Sequence, residues 1–244
     1  MFVVFDIGTS RLKVSAFSAA GELLGQTAKR HSQHAEDGYA WQDTGEWWSN
    51  ACLAFADLMR IYGLHPKDIR GFSVSGRAGA GIFVDSKGHV LAEPWSDGRH
   101  RPLFEELHGE HPDAPVYGLT LISKYAWLQE NQPERCEGIK HCFYAKDFLL
   151  FKLTGIAMTD PSSGPDALNW FEQNVIDSEL LPQPALPWSI AGELTSGAAE
   201  ELGCKPGVPV AVGAHDGICA NTGCAMLDEN DYALTLGTHA VCRT

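Results

Sequence analysis

Three short stretches of the sequence place acids, hydroxyls and glycines where ordinary turns need much less. The first, Asp6-Ile7-Gly8-Thr9-Ser10, separates two apolar runs. A hairpin turn requires only residues that tolerate positive φ, yet this one also carries a carboxylate and two hydroxyls. Backbone N–H groups and hydroxyls around such a glycine can cradle an anion, as phosphate loops do. Asp6, at a strand end, can hold Mg²⁺ through its waters, because that ion keeps much of its hydration and takes few carboxylates. The same residues can also do no more than satisfy turn backbone groups. The second stretch, Val210 to Asp216, is an apolar strand that ends in Gly213-Ala214, with Asp216 where a helix begins. A carboxylate at the carboxyl end of a strand sits where α/β proteins bind ligands, and can serve as general base to a substrate hydroxyl. It can equally be a helix N-cap. The third stretch, Leu236-Gly237-Thr238, repeats the glycine-hydroxyl pattern. Phosphoryl transfer needs phosphate cradles, a metal carboxylate and a base together, so two such loops with a strand-end carboxylate point to it more strongly than any one stretch alone.

The elements that must position these residues are legible in outline. Residues 2–6, 11–18 and 23–30 read as consecutive strands joined by short turns. Trp47, Ala51, Phe55, Leu58 and Tyr62 recur at helical spacing, with Asp43 or Thr44 as the opening cap and Gly63 as the stop. A strand over 69–75, two more around the turn at 86–88, and helices over 101–108, 120–131 and 145–154 follow. The stretch 155–192, rich in Pro, Ser and Asp, reads as mostly irregular, with a short helix near Ala167. Beyond it lie a helix at 196–204, the apolar strand before Asp216, a helix after it, and a last strand into Gly237. Antiparallel strands followed by alternating helix and strand indicate a mixed α/β sheet with helices on its faces.

Composition narrows the function. The 244 residues carry a net charge of −13 without a basic run, so a phosphate-backbone partner such as nucleic acid is not expected. No stretch is apolar and long enough to span a membrane, and the N-terminus has no signal-peptide pattern, so a cytoplasmic location is expected. Seven cysteines lack zinc-ligand spacing and read as buried free thiols. Gly76 to Gly81 has the wrong spacing for a dinucleotide fingerprint. Ser73 lacks the Gly-x-Ser-x-Gly elbow of a serine hydrolase, since residue 75 is serine.

Taken in order, the three stretches resemble the FGGY carbohydrate kinase family of the actin/hexokinase-like superfamily. Asp6, Gly8, Thr9 and Ser10 match its first phosphate hairpin, Gly213-Ala214-His215-Asp216 its catalytic-base motif, and Leu236, Gly237 and Thr238 its second phosphate loop. Between them, residues 94–99 (PWSDGR) resemble the Trp-Asn-Asp-x-Arg segment of xylulokinase-like members. Residues 123–134, 145–155 and 159–172 match further family stretches. The resemblance implies a ribonuclease H-like (actin-like ATPase) domain, a mixed five-stranded sheet with three antiparallel strands first and helices on both faces. It implies ATP-dependent phosphorylation of a sugar or polyol hydroxyl, a pentulose above other ketoses, with Asp216 as base and substrate contact. Gly8, Thr9, Ser10, Gly237 and Thr238 would hold phosphates, Asp6 would hold Mg²⁺ through water, and Arg77, Trp95 and Asp97 would contact the sugar. Expected partners are the sugar or polyol and ATP, with a homodimer left open and neither nucleic acid nor membrane. Residues 1–244 would be the N-terminal sugar-binding domain, ending in the second phosphate loop. The C-terminal nucleotide-binding domain would be absent and the isolated chain inactive. Where xylulokinases carry Gly-Gln-Met-His-Gly to touch the sugar, this chain has Gly76-Arg77-Ala78-Gly79-Ala80-Gly81, which leaves the sugar open. A non-catalytic sugar-binding or regulatory relative is the alternative; it would most simply lack Asp6 or Asp216, and both are present.

Overall fold

A computed structural model describes residues 1–244 apart from 115, 164–177, 227, 229, 237–239 and 244. The expected helix near Ala167 and the tip residues Gly237 and Thr238 therefore lie outside the described residues.

Alternation decides the central sheet. In β1 (Phe2–Ile7), Val3, Phe5 and Ile7 are buried while Val4 and Asp6 are only partly so, the period-2 pattern of a strand with one packed face. β2 (Arg11–Phe17) and β3 (Leu23–Arg30) follow antiparallel, with Leu12, Val14 and Ala16 turned to the same packed face. A small hairpin, β4 (His34–Glu36) and β5 (Tyr39–Trp41), leads into helix α1 (Thr44–Tyr62). Asp43 caps α1 by accepting from Gly45 N (2.7 Å) and Glu46 N (3.2 Å), and Gly63 ends it with φ 62°. Trp47, Ala51, Phe55 and Leu58 lie along its buried stripe, and Phe55 stacks on Phe5 with ring centroids 6.3 Å apart. Each such ring removed from water contributes about 1.5–3 kcal/mol.

β6 (Gly71–Gly76) then runs parallel to β1 on its other side. A separate three-stranded sheet joins β7 (Ile82–Val84), β8 (Val90–Ala92) and β9 (His141–Phe143). It is backed by a second apolar cluster around Phe83, Trp95, Ile122 and Leu128. Helices α2 (Arg101–Glu110), α3 (Val116–Asn131) and the short α4 (Pro133–Cys136) fill the interval. Helix α5 (Ala145–Thr154) comes next, followed by the paired short strands β10 (Met158–Thr159) and β11 (Gln183–Pro184). The chain continues through β12 (Ile190–Glu193), α6 (Ser196–Leu202), β13 (Pro209–Ala211), β14 (Ala214–His215) and α7 (Asp216–Gly223).

The main sheet has seven strands, not the five expected, in the order β12-β13-β6-β1-β2-β3 with β14 also on β6. Two causes account for the difference. The edge strand β12 emerges from a Pro- and Ser-rich stretch too short to show alternation. The single apolar strand read before Asp216 is broken at Gly213, whose φ of 73° separates β13 from β14. Among the described residues, β15 (Ala233–Leu236) pairs with β16 (Ala240–Arg243), apart from the main sheet. Helices lie on both faces as expected. α1, α5 and α6 share the packed face with Phe5 and Phe72, while α7 lies on the other, beside Asp6 and Ser75.

Gly213 is the position where only glycine fits. A Cβ there would lie 1.8 Å from the Val74 carbonyl oxygen. Gly155 has a similar φ of 71° but open space around it. Gly155→Ala should cost about 1–2 kcal/mol, the strain of a left-handed backbone. Gly213→Ala should cost more than about 3 kcal/mol, since strain and backbone collision combine. Urea unfolding of the two variants checks this; equal losses would mean that the β13–β14 kink is not held against β6.

Candidate functional site

Strand register brings the separated motifs together. β1, β6 and β14 are parallel, with Asp6 beside Ser75 and Ser75 beside Ala214, then Ile7 beside Gly76 and Gly76 beside His215. The turn after Ile7, the loop after Gly76 and the helix start at Asp216 thus share one edge, the carboxyl ends of parallel strands. A cleft of about 480 Å³ opens there, lined by Asp6, Gly8, Lys13, Ser75, Asp216 and Cys219 among others. Burial raises the Cys219 thiol pKa, and the carboxylates of Asp160, Asp6 and Asp216 reinforce that shift.

Lys13 was not foreseen. It faces Asp6 directly across the hairpin, and its Nζ lies 2.7 Å from Asp6 Oδ2. The signal was present in the turn, because a hairpin pairing Ile7 with Leu12 must also pair 6 with 13. Asp6 Oδ1 is buried and has no hydrogen-bond partner. That orphaned oxygen fits a hydrated cation, since an unmet buried acceptor is costly. Among the described residues no group of three or more His, Cys, Asp or Glu side chains is placed to hold a metal ion.

At the other wall, Asp216 opens α7 with its side chain 42% exposed. The preceding His215 is buried and caps the helix, its Nδ1 accepting from Gly217 N at 3.2 Å. With Nδ1 an acceptor, the ring proton of neutral His215 resides on Nε2. Nε2 lies 3.1 Å from Asp216 Oδ1, so it donates there and leaves Oδ2 for another partner. Asp216 is therefore not itself the helix cap, the role it could equally have had on sequence grounds.

A buried ionic network holds this corner. At the start of α5, Lys146 Nζ contacts Asp147 Oδ1 at 2.7 Å and Asp160 Oδ1 at 3.0 Å, with all three side chains at most 1% exposed. Burial works against the Lys146 charge, but the two carboxylates hold its pKa above the ordinary lysine value. Burial also pushes Asp147 up, against the pull of Lys146. Asp160 accepts from the Ser162 hydroxyl, and Ser162 Oγ accepts the His215 N–H at 3.1 Å.

Arg77 reaches the same edge. Its N–H donates to the Ile7 carbonyl (3.1 Å), and its guanidinium donates to Gln42 Oε1 (2.7 Å) over the face of Trp47. Gln42 Nε2 in turn donates to the Thr9 carbonyl at 2.9 Å, tying the first hairpin to Arg77. Burial lowers the Arg77 pKa, while the Asp216 charge raises it. Trp95 and Asp97 do not line the cleft of Asp6 and Asp216. Trp95 lines a second cleft of about 690 Å³ with Tyr39, Trp41 and Arg99. Asp97 is committed to Arg99, which stacks over Tyr39, Trp95 and Trp127, and to the Ala40 N–H at 2.7 Å. Burial acts to raise the Asp97 carboxyl, but these hydrogen bonds bring it down to about 2. Thr9 and Ser10 are exposed in the turn, open to a ligand. All seven cysteines are free, but only Cys142 is fully buried rather than the set as a whole. Among the described residues no helix is long and apolar enough to cross a membrane.

Comparison with known proteins gives the family and the fold. The model of the N-terminal domain of the FGGY family of carbohydrate kinases matches residues 1–223. The chain is 26% identical to a xylulose kinase of Staphylococcus epidermidis, covering 97% of this chain and 51% of that protein. It is 28% identical to the xylulose kinase of Escherichia coli, covering 99% and 53%. The chain thus spans about half the length of the curated relatives it matches. Among solved structures, a gluconate kinase from Lactobacillus acidophilus superposes with a TM-score of 0.86 at 20% identity, over 100% of this chain and 53% of that one. A glycerol kinase from Plasmodium falciparum with ADP gives 0.83 at 18%, over 99% and 54%. The actin-like mixed α/β fold is shared with these neighbours.

The buried network makes a sharp prediction. Lys146→Met leaves Asp147 and Asp160 buried without their cation, which should cost about 3–5 kcal/mol at neutral pH. The Asp147 carboxyl, raised by burial, binds a proton more readily folded than unfolded. The deficit should therefore shrink as pH falls into the carboxyl range. Denaturant unfolding at several pH values checks it; a deficit that grows on acidification would refute the assignment.

Proposed function

The chain belongs to the FGGY family of carbohydrate kinases, and from that premise we propose that residues 1–244 form the sugar-binding domain of an ATP-dependent sugar or polyol kinase. A ketose, a pentulose before others, is the proposed acceptor, and Asp216 the general base. The observation that carries this reading is the single cleft holding Asp6 and Asp216 at the ends of parallel strands. Arg77 is near enough to feel the Asp216 charge, so a sugar held by Arg77 would present a hydroxyl to Asp216.

Asp216 takes the hydroxyl proton as the oxygen attacks the γ-phosphorus, and the bond to the ADP oxygen breaks in line. His215, bonded to Oδ1, fixes the carboxylate so that Oδ2 meets the hydroxyl. Thr9 and Ser10, with Gly8 between strands, hold phosphate oxygens as charge redistributes, and Gly237 and Thr238 would hold others. Mg²⁺, when bound, neutralises phosphate charge, and Asp6 would hold it through water while Lys13 balances the carboxylate. Arg77 would contact the sugar directly. Trp95 and Asp97 would shape the sugar wall, Asp97 through its hold on Arg99. The adenine and ribose would be held by a second domain, whose closure excludes water so that ATP is not simply hydrolysed.

Two variants, assayed in the kinase with its nucleotide-binding half, separate the roles. Asp216→Asn should lower kcat by about 10²–10⁴-fold, the worth of a positioned base, with sugar affinity changed only a few-fold. Asp6→Ala should abolish turnover yet leave calorimetric sugar binding nearly intact. A collapse of sugar affinity in Asp216→Asn with kcat preserved would make Asp216 a binding residue. Normal Mg²⁺-dependent activity in Asp6→Ala would leave Asp6 a turn residue. A screen of ketoses, polyols and sugar acids identifies the acceptor.

A further inference from the structure

Lys124, on α3, is 3% exposed. Its Nζ donates to three backbone carbonyls: Gly79 at 2.9 Å, Ala80 at 3.0 Å and Trp95 at 2.8 Å. An ammonium has three N–H donors, and all three are used. Among the described residues no carboxylate forms an ion pair with it. Gly79 and Ala80 belong to the loop after β6 that begins at Arg77. Trp95 belongs to a different segment, bonded to the β5 side through the Gln42 N–H to Pro94 carbonyl and the Ser96 N–H to Ala40 carbonyl. The loop from Ala78 to Gly81 has no strand or helix ladder of its own, and Lys124 supplies the donors for two of its carbonyls. Gly81, at φ 63°, passes so close over the lysine stem that a Cβ there would lie 2.9 Å from Lys124 Cδ. The face of the Trp95 ring lies 5.3 Å from the same Nζ.

Burying an ammonium without a counter-ion is costly. An apolar side chain would fill the space more cheaply but would leave three carbonyls unmet. The cost is explained if joining those two segments is what the site needs. We propose that Lys124 is a positioning residue for the acceptor sugar, its ammonium fastening the Gly79–Ala80 loop to the Trp95 segment as one wall. This rests on the kinase reading above, because that reading makes Arg77, where the loop begins, a sugar contact and puts Trp95 in the sugar wall.

The clamp has a consequence for pH. Burial lowers the Lys124 pKa to about 7, helped by Arg77 and Arg99 and opposed by Asp97. The other charged or titratable groups facing it are fixed between about pH 6 and 9. Arg77 and Arg99 stay charged, Asp97 is held at about 2, and burial keeps His100 at about 4. The neutral amine has two N–H groups and must release one carbonyl. The two segments should loosen, and sugar affinity should weaken, as pH rises through about 7.

The test uses this 244-residue chain. In hydrogen exchange, Lys124→Met should speed the amides of 78–82 and 95–97 together by about tenfold or more, with β1 to β3 unchanged. Lys124→Arg, which can still donate to carbonyls, should restore part of the protection. Loss at one segment alone, or no loss, overturns the clamp. In calorimetry, a ketose or polyol that binds the wild type should bind Lys124→Met about tenfold or more weakly, and bind wild type more weakly at about pH 9 than at 6. If Lys124→Met does not fold, exchange of the wild-type segments across that pH range, corrected for intrinsic rates, decides the same question. Sugar binding indifferent to both the variant and pH overturns the positioning role. If the wild type binds no acceptor at all, the kinase reading fails while exchange still judges the clamp.

Discussion

The arrangement of the cleft depends on one buried charge, the ammonium of Lys146. It stands at the start of α5 between two carboxylates that are themselves fully buried, and its second partner, Asp160, governs Ser162. Through the Ser162 hydroxyl this line ends on the backbone N–H of His215, the residue before Asp216. An ion pair in such a place contributes little net stability, because desolvation offsets its attraction. What it supplies is direction. The strand end carrying Asp216 is thereby tied to α5, and α5 packs on the apolar face built by Phe5, Phe72 and their neighbours.

The sheet and the lysines divide the work of placing the site. Register sets the long-range geometry, since parallel pairing of β1, β6 and β14 aligns Asp6, Ser75 and Ala214 across three strands far apart in sequence. The Gly213 kink presses the chain against β6, and β14 pairs with β6 up to His215 before Asp216 opens a helix on the opposite face. Local polar groups finish the work. Lys13 balances Asp6, His215 orients Asp216, Gln42 joins the hairpin turn to Arg77, and Lys124 joins the loop after Arg77 to Trp95. Among the described residues, the two segments joined by Lys124 share no strand ladder.

Much of this was legible in the sequence, for a physical reason. The three antiparallel strands, the capped helix from Asp43 to Gly63 and the strand-end motif around Asp216 are specified by local patterns of burial, capping and turn chemistry. The strand count was not, because β12 is too short to alternate visibly and because a left-handed Gly213 breaks a run that reads as continuous. Lys13 could have been found by counting through the hairpin. Lys146 and Lys124 could not, since nothing local distinguishes a buried lysine on an apolar helix from a solvated one. Asp97, read as a sugar contact, holds Arg99 and the Ala40 N–H, a pairing two residues away that the sequence left open.

The central claim is that the strand-end edge from Gly76 to Gly81 and from Ala214 to Gly217 is one acceptor site. Titrating the ¹⁵N-labelled chain with ketoses, polyols and sugar acids while following backbone amides by NMR tests it most directly. The account predicts that one compound shifts both groups of amides along a single saturable isotherm, leaving Tyr39 and Trp41 in the larger cleft little changed. Saturable shifts confined to Tyr39, Trp41 and their neighbours would contradict it and move the sugar to the other cleft.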